Sequence, residues 1–315
     1  MTSELTASSL RNRLRAMLAT GELDLPLPAA GQTPARHRAL FEFGRTDLSL
    51  ARLAEAHTDA VAILREAGLA PQPRALYGVW ASDGPQSQLE ATRAGKDWRL
   101  NGVKQFCSGA GLVDAALVTV HMGARLYLAQ MPLTARGITV QKSAWATPAF
   151  GATDTTDVAF CNVRLAKEAL IGGGNWYLER VAFWHGALGP AACWAGGAAG
   201  LVDAAHRLHH HTAHTRAQLG ALVAARWSLL AQLDQAGQEI DQARTNYDEA
   251  RRRALIVRHL IERTCTDVLD RFGRATGPAL LAFDSPIARR HAELALYIRQ
   301  SHAERDLENI VVEAR

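Results

Sequence analysis

The chain has 315 residues, 48% of them apolar and 21% charged, with a formal charge of +4. That length and balance suit two or three compact units with sizeable cores, and exclude a disordered, collagen-like or disulfide-stapled chain. The charge is scattered, and the only tight basic run, Arg251–Arg253, reads as a solvated helix face, so nucleic acid is not an expected partner.

In chain order, residues 1–35 read as loosely ordered: Ser8-Ser9-Leu10 opens a short helical pattern, and Pro26, Pro28, Gly31 and Pro34 interrupt it. From Arg36 to Gly68 the apolar spacing is helical. Thr46 or Asp47 is placed to cap a helix, and Gly68 to end one. Pro71 and Pro73 mark a boundary. Residues 75–165 change period, with strands expected over Leu112–Val120, Arg125–Met131, Gly137–Gln141 and Thr155–Val163 and a hairpin turn at Asn101-Gly102. From Leu170 onward the pattern is helical again: Trp176–Arg207 as one helix or two, then Gln218–Gly237, Thr245–Phe272 and Arg289–Ile310. The expected class is α+β with segregated blocks: a short N-terminal helical region (1–74), a central antiparallel β-domain (75–169) and a C-terminal four-helix bundle (170–315).

Val181–Val202 carries no formal charge apart from its flanks and contains a GxxxG at Gly196 and Gly200. It is rich in Ala and Gly and includes His185 and Pro190, so a buried bundle helix is expected in place of a membrane span. Cys107, Cys161, Cys193 and Cys265 form no CxxC pair, and no basic-then-apolar leader opens the chain, which fits a reducing cytoplasm. His206, His209, His210, His211 and His214 crowd together, but few carboxylates flank them, and a solvated or interface face is expected there with no metal. The glycine-rich nucleotide loops, HExxH and GxSxG are all missing.

The strongest local signal is Trp98-Arg99-Leu100-Asn101-Gly102-Val103-Lys104-Gln105-Phe106-Cys107-Ser108-Gly109-Ala110, followed by Asp114 and an apolar run. It resembles the central β-domain of the acyl-CoA dehydrogenase superfamily. Phe150–Val163, Leu170-Ile171-Gly172, Leu178-Glu179-Arg180, Thr215–Gly220 and Phe272–Gly277 continue the resemblance, in order, over about residues 76–310. It implies an oxidoreductase that binds FAD, acting on an acyl-CoA or another small molecule. Phe106 would lie against the flavin ring and Ser108 near its N5, while Arg216 would meet the diphosphate, in the family from a neighbouring subunit. Gly273 and Gly277 would stand at the adenosine half. An apolar wall suits a flat ring, a hydroxyl supports charge on it, and an arginine fork suits paired phosphate oxygens.

Three departures matter. Trp80 stands where the family carries a threonine on the flavin pyrimidine. The N-terminal helical domain is short. The stretch that carries the catalytic Glu in most of the family is here Tyr297–His302, with Arg299 close to the Glu position. In one branch the base lies instead at the position of Glu179, so Glu179 is the candidate base for α,β-dehydrogenation. The tail around His302 also resembles the flavin monooxygenase branch, in which reduced flavin reacts with oxygen beside a His and a Ser. His302 with Ser108 is therefore the alternative catalytic set, and a non-catalytic assembly partner is a third reading. A homodimer or homotetramer is implied. Substrate identity and electron acceptor are not legible.

Overall fold

The computed structural model describes residues 5–82, 84, 88–207, 212–242 and 246–312. It divides into two compact units, one of Met1–Asp24 with Ala56–Arg180, the other of Leu25–Glu55 with Val181–Arg315. The division falls inside the third helix.

The first unit is built on a sheet of eight strands: β1 (Tyr77–Trp80), β2 (Gln88–Ala94), β3 (Asp97–Cys107), β4 (Ala115–Met122), β5 (Arg125–Pro132), β6 (Ile138–Val140), β7 (Thr156–Leu165) and β8 (Leu170–Ile171). The order is β6-β7-β3-β2-β4-β5-β8, with β1 beside β4. All pairings are antiparallel except β1–β4 and β2–β4. Ala115–Val120 of β4 is buried at every position, and it is apolar apart from Thr119 because neither face meets water.

The Asn101-Gly102 turn expected from the sequence is not a turn. Both residues lie inside β3, and the β2–β3 reversal is made at Gly95, whose φ is 65°. Gly102, at φ 130°, sits where the β3–β7 register shifts, with its α-carbon against the Gln88 carbonyl, while Asn101 Oδ1 accepts from the Asn162 amide at 2.8 Å. The same two residue types that suit a tight turn also suit a bulge.

The N-terminal segment is also better ordered than its sequence suggests. Helix α1 (Ala7–Thr20) opens on a capping box between Thr6 and Ser9 and buries Leu10, Leu14 and Met17, one turn apart. Arg15 fastens it to the Asp114 carboxylate and the Arg74 carbonyl.

The second unit is helical. The single helical pattern expected over residues 36–68 is two helices, α2 (Thr33–Thr46) and α3 (Leu48–Glu66), the latter shared between the units. Asp47 separates them: its amide donates to the Phe43 carbonyl while its Oδ1 accepts from the Leu50 amide at 2.9 Å. Gly68, at φ 74°, follows the end of α3. Beyond the four-residue α4 (Trp176–Glu179) of the first unit come α5 (Val181–Gly186), α6 (Leu188–His206), α7 (Ala213–Gln242), α8 (Tyr247–Thr276), α9 (Pro278–Phe283), α10 (Ser285–Tyr297) and α11 (Glu304–Val312). The last helix expected from the sequence, Arg289–Ile310, is therefore broken: a 3-10 turn at Ile298–Gln300 and Ala303 at φ 45° part α10 from α11. Trp176–Arg207, expected as one helix or two, is three.

Helices α6, α7, α8 and α10 form the bundle, and α6 is its centre. Nearly all of its residues are buried. Its small residues let α2 approach backbone to backbone: a Cβ on Gly196 would strike the Phe41 carbonyl, and one on Gly44 would strike that of Cys193. Each large side chain buried here, such as Leu188, Leu201 and Leu229, contributes about 1.5–3 kcal/mol. Among the described residues no helix is long and apolar enough to cross a membrane.

Candidate flavin site

The backbone is irregular at the end of β3. Between Lys104 and Cys107 the β3–β7 register slips again, and Phe106 takes φ 56°, a left-handed conformation that a bulky residue rarely adopts. The slip turns the phenyl ring outward, leaving it 53% exposed between two fully buried neighbours, Lys104 and Cys107. Non-glycine strain of this kind costs on the order of 1–3 kcal/mol and persists where the surroundings hold it.

Several contacts hold it. The Ser108 amide donates to the Phe106 carbonyl at 2.9 Å, closing a tight turn. The Trp80 indole N–H donates to the Ser108 carbonyl at 3.1 Å. Below the turn, Lys104 is fully buried and its Nζ donates to Thr119 Oγ1 at 2.7 Å. Gly84 leaves room for the ring: a Cβ there would lie 3.1 Å from Phe106 Cε2.

The Ser108 hydroxyl belongs to a row. Thr155 Oγ1 donates to Ser108 Oγ at 3.1 Å, Thr153 Oγ1 and Thr155 Oγ1 are 2.8 Å apart, and Thr153 Oγ1 lies 2.8 Å from the Phe150 carbonyl. Thr155 thereby fixes where the Ser108 hydroxyl sits. Cys107, one residue away, is no nucleophile: burial pushes its thiol up to about 12.

Phe106, Ser108 and Trp80 are thus brought together, with Trp80 2% exposed and its single donor committed to Ser108; it props the turn from beneath. Glu179 lies in the same unit as the exposed last residue of α4, while its neighbour Arg180 is paired with Glu66 and covers the rings of Trp176 and Tyr177.

The remaining candidates lie in the helical unit. Arg216 is exposed on the first turn of α7. Gly273 is still helical inside α8, and only Gly277, at φ 66°, ends that helix, so the glycine turn expected over 273–277 is reduced to its last residue. A bond of 3.1 Å from Arg271 Nη1 to Gln218 Oε1 brings the start of α7 and the end of α8 together, which places Arg216 and the two glycines at one end of the bundle. His302 precedes α11, with its amide on Asp306 Oδ2 at 3.1 Å and its Nδ1 3.5 Å from Asp306 Oδ1. Partial burial, then Arg305, hold its imidazole below the ordinary value against the pull of Asp306. Arg299 is paired with Glu262 at 2.6 Å, so no carboxylate occupies that position of the tail.

Sequence reasoning missed Thr155, Thr153 and Gly84. The hydroxyls at alternate positions ahead of β7 were the available signal for the first two. Of the histidine patch, His209, His210 and His211 lie outside the described residues, as do Asp83, Pro85, Gln86 and Ser87 of the stretch after Trp80 and Thr245 at the expected start of α8. His206 Nδ1 is 2.9 Å from the Val202 carbonyl of its own helix.

The fold defined by this sheet and bundle is that of the acyl-CoA dehydrogenase-like flavoproteins. It resembles the nitrososynthase of Micromonospora carbonacea var. africana (TM-score 0.82, 16% identity, covering 98% of this chain and 93% of that one). It also resembles the dibenzothiophene monooxygenase TdsC of Paenibacillus sp. A11-2 (0.75, 17%, 96% and 94%), solved also with FMN bound, and the methanesulfinate monooxygenase MsuC of Pseudomonas fluorescens (0.74, 16%, 100% and 97%). No family model and no curated protein sequence matches the chain.

Proposed function

We propose that the chain is a flavin-dependent oxidoreductase of the monooxygenase kind, with the ring of FMN against Phe106 and Ser108. The observation that carries this reading is the exposed, left-handed Phe106 with the Ser108 hydroxyl beside it, oriented by Thr155. An outward aromatic ring on a strained turn offers a wall for a flat ligand, and strained backbone collects at ligand sites. The relatives of like fold named above, two of them monooxygenases and one solved with FMN, support the choice.

The residues fit such a group. Phe106 supplies the apolar wall and Ser108 a hydroxyl held in place by Thr155. In the helical unit, Arg216, at the end of the bundle that also holds Gly277, is the residue that the resemblance assigns to phosphate oxygens. His302, in the helical unit, is held by Asp306, and burial keeps its imidazole below the ordinary value. The flavin, when bound, supplies the redox chemistry and the reaction with oxygen.

The alternative, an FAD-dependent acyl-CoA dehydrogenase, needs a carboxylate to take the α-proton. Arg299 is paired at the usual position, which leaves Glu179, exposed and unstrained at the end of α4. Assembly as a homodimer or homotetramer belongs to both readings, and Val223 and Trp227, exposed one turn apart on α7, support it.

Purified protein is titrated with FMN and FAD, and the reduced complex is then exposed to oxygen or, separately, the oxidised complex to acyl-CoAs without oxygen. The monooxygenase reading expects FMN to bind and a reduced complex that reoxidises more slowly in Ser108→Ala and His302→Ala. Anaerobic bleaching by an acyl-CoA that disappears in Glu179→Gln would install the dehydrogenase instead. A chain that takes up neither flavin sinks both and leaves the non-catalytic assembly partner.

A further inference from the structure

The helical unit contains a cavity of about 210 Å³ lined by four arginines, Arg45, Arg207, Arg289 and Arg290, with Gly200 and Asp203 among its other lining residues. It is formed where the ends of α2 and α6 meet the start of α10, whereas the residues assigned above to flavin in this unit lie on α7, at the end of α8 and before α11.

The carboxylates around it are already engaged. Asp203 takes Arg45 on Oδ2 at 2.6 Å and Arg226 on Oδ1 at 3.0 Å. Glu42 takes Arg45 at 3.3 Å. Asp47 takes Arg289 at 2.8 Å, and Glu293 takes Arg289 at 3.0 Å and the Ser49 hydroxyl at 2.7 Å. Two of the cations make no direct ion pair among the described residues. Arg290 reaches only neutral carbonyls, those of Gly44 at 3.0 Å and Thr46 at 2.7 Å, and so spends two of its five N–H groups. Burial pushes its guanidinium below the ordinary value. Arg207 has no hydrogen-bond or ion-pair partner for its side chain among the described residues.

Capping the carbonyl end of α2 accounts for the place of Arg290, since a cation there meets the negative end of the helix dipole. It accounts neither for Arg207 nor for the empty volume. Gly200 has no side chain to fill that volume, and any Cβ there would run into the Arg290 guanidinium. Planar guanidinium groups around a small cavity match the oxygens of a tetrahedral oxyanion.

We infer that this cavity binds a phosphate-type oxyanion, free or as the end of a nucleotide, at a site separate from the flavin. Arg290 and Arg207 supply the guanidinium groups that make no direct ion pair, and Arg45 and Arg289 hold the walls.

The test is calorimetric titration of the full chain, saturated with FMN, by inorganic phosphate at constant ionic strength set with chloride. One phosphate per chain is expected. Arg207→Glu, a change at an exposed and unpartnered side chain, should weaken binding about ten-fold or more, with Arg207→Lys in between. Unchanged melting temperatures without phosphate check that the variants fold. A parallel titration with ADP fixes the source: binding ten-fold tighter than phosphate points to a nucleotide, and equal or weaker binding to the free anion, and either supports the site. No phosphate heat, equal affinity in Arg207→Glu, or a phosphate response that appears only when FMN is withheld overturns the inference.

Discussion

Two polar places in the molecule differ in what they do with the same kinds of side chain. Inside the helical unit, Arg258 lies 4.7 Å above the ring of Trp194 and donates to the carbonyls of Ala187 at 2.6 Å and Gln300 at 3.0 Å. Arg52 lies over Tyr297, which in turn meets Trp194 edge-on, and burial pushes the Tyr297 hydroxyl and the Cys193 thiol well above their ordinary values. At the end of β3, by contrast, a strained backbone turns one ring outward and a relay of hydroxyls ends beside it. Chemical type does not separate a structural group from a working one. Direction does: Arg258 and Arg52 are turned into the bundle over Trp194 and Tyr297, whereas the Phe106 ring at the β3 ledge is turned outward.

The severest way to break this comparison is to remove Arg258. Arg258→Ala leaves two carbonyls without their donor and a ring without its cation, and is expected to cost about 3 kcal/mol in urea denaturation. A loss below about 1 kcal/mol would show that the interior network is dispensable.

Nearly as large is a pH effect inside the sheet unit. His57 is 4% exposed, its Nδ1 accepts from the Tyr77 amide at 3.2 Å, and burial holds its imidazole down to about 4. The unfolded chain takes up this proton near pH 6.5 while the folded one resists it, so the contribution is whole above 6.5 and is lost as pH falls to 4. The loss amounts to about 3 kcal/mol. Stability curves at pH 7 and pH 4 should diverge by that much between wild type and His57→Gln. Parallel curves would mean that His57 is already protonated in the fold.

Thr155→Val sharpens the comparison at the ledge. It keeps the shape and removes the hydroxyl that orients Ser108, so flavin binding should weaken about five- to ten-fold while the melting temperature moves little. Equal flavin affinity would reduce the hydroxyl row to packing. The smallest change is expected from Asp47→Asn, which keeps the cap on α3 and removes only the charge facing Arg289, for about 0.5–1 kcal/mol.

Much of the architecture was legible because it is written in local rules. Asp47 marks the joint of α2 and α3 through its cap, and β4 shows its burial in a run that is apolar but for Thr119. What was illegible depends on partners distant in sequence. Asn101-Gly102 looked like a turn because nothing nearby shows that β7 runs alongside. The N-terminal helix looked loose because its anchor, Asp114, lies 99 residues from Arg15. At the candidate site, Phe106 and Ser108 were read from the order of residues along one strand, whereas Thr155 stands 47 residues beyond Ser108 and enters only through the β3–β7 pairing. The arginine cavity gathers three helix ends and has no linear signature at all.

The glycine contacts between α2 and α6 carry a mechanical consequence. Where two helices touch through carbonyls, no flexible side chain can give way, so sliding one helix by a turn would drive a Cβ of its neighbour residue into main chain. The pair therefore works as a keyed joint with a single seat, and a methyl added at Gly196 or Gly44 should wedge it open instead of loosening it gradually.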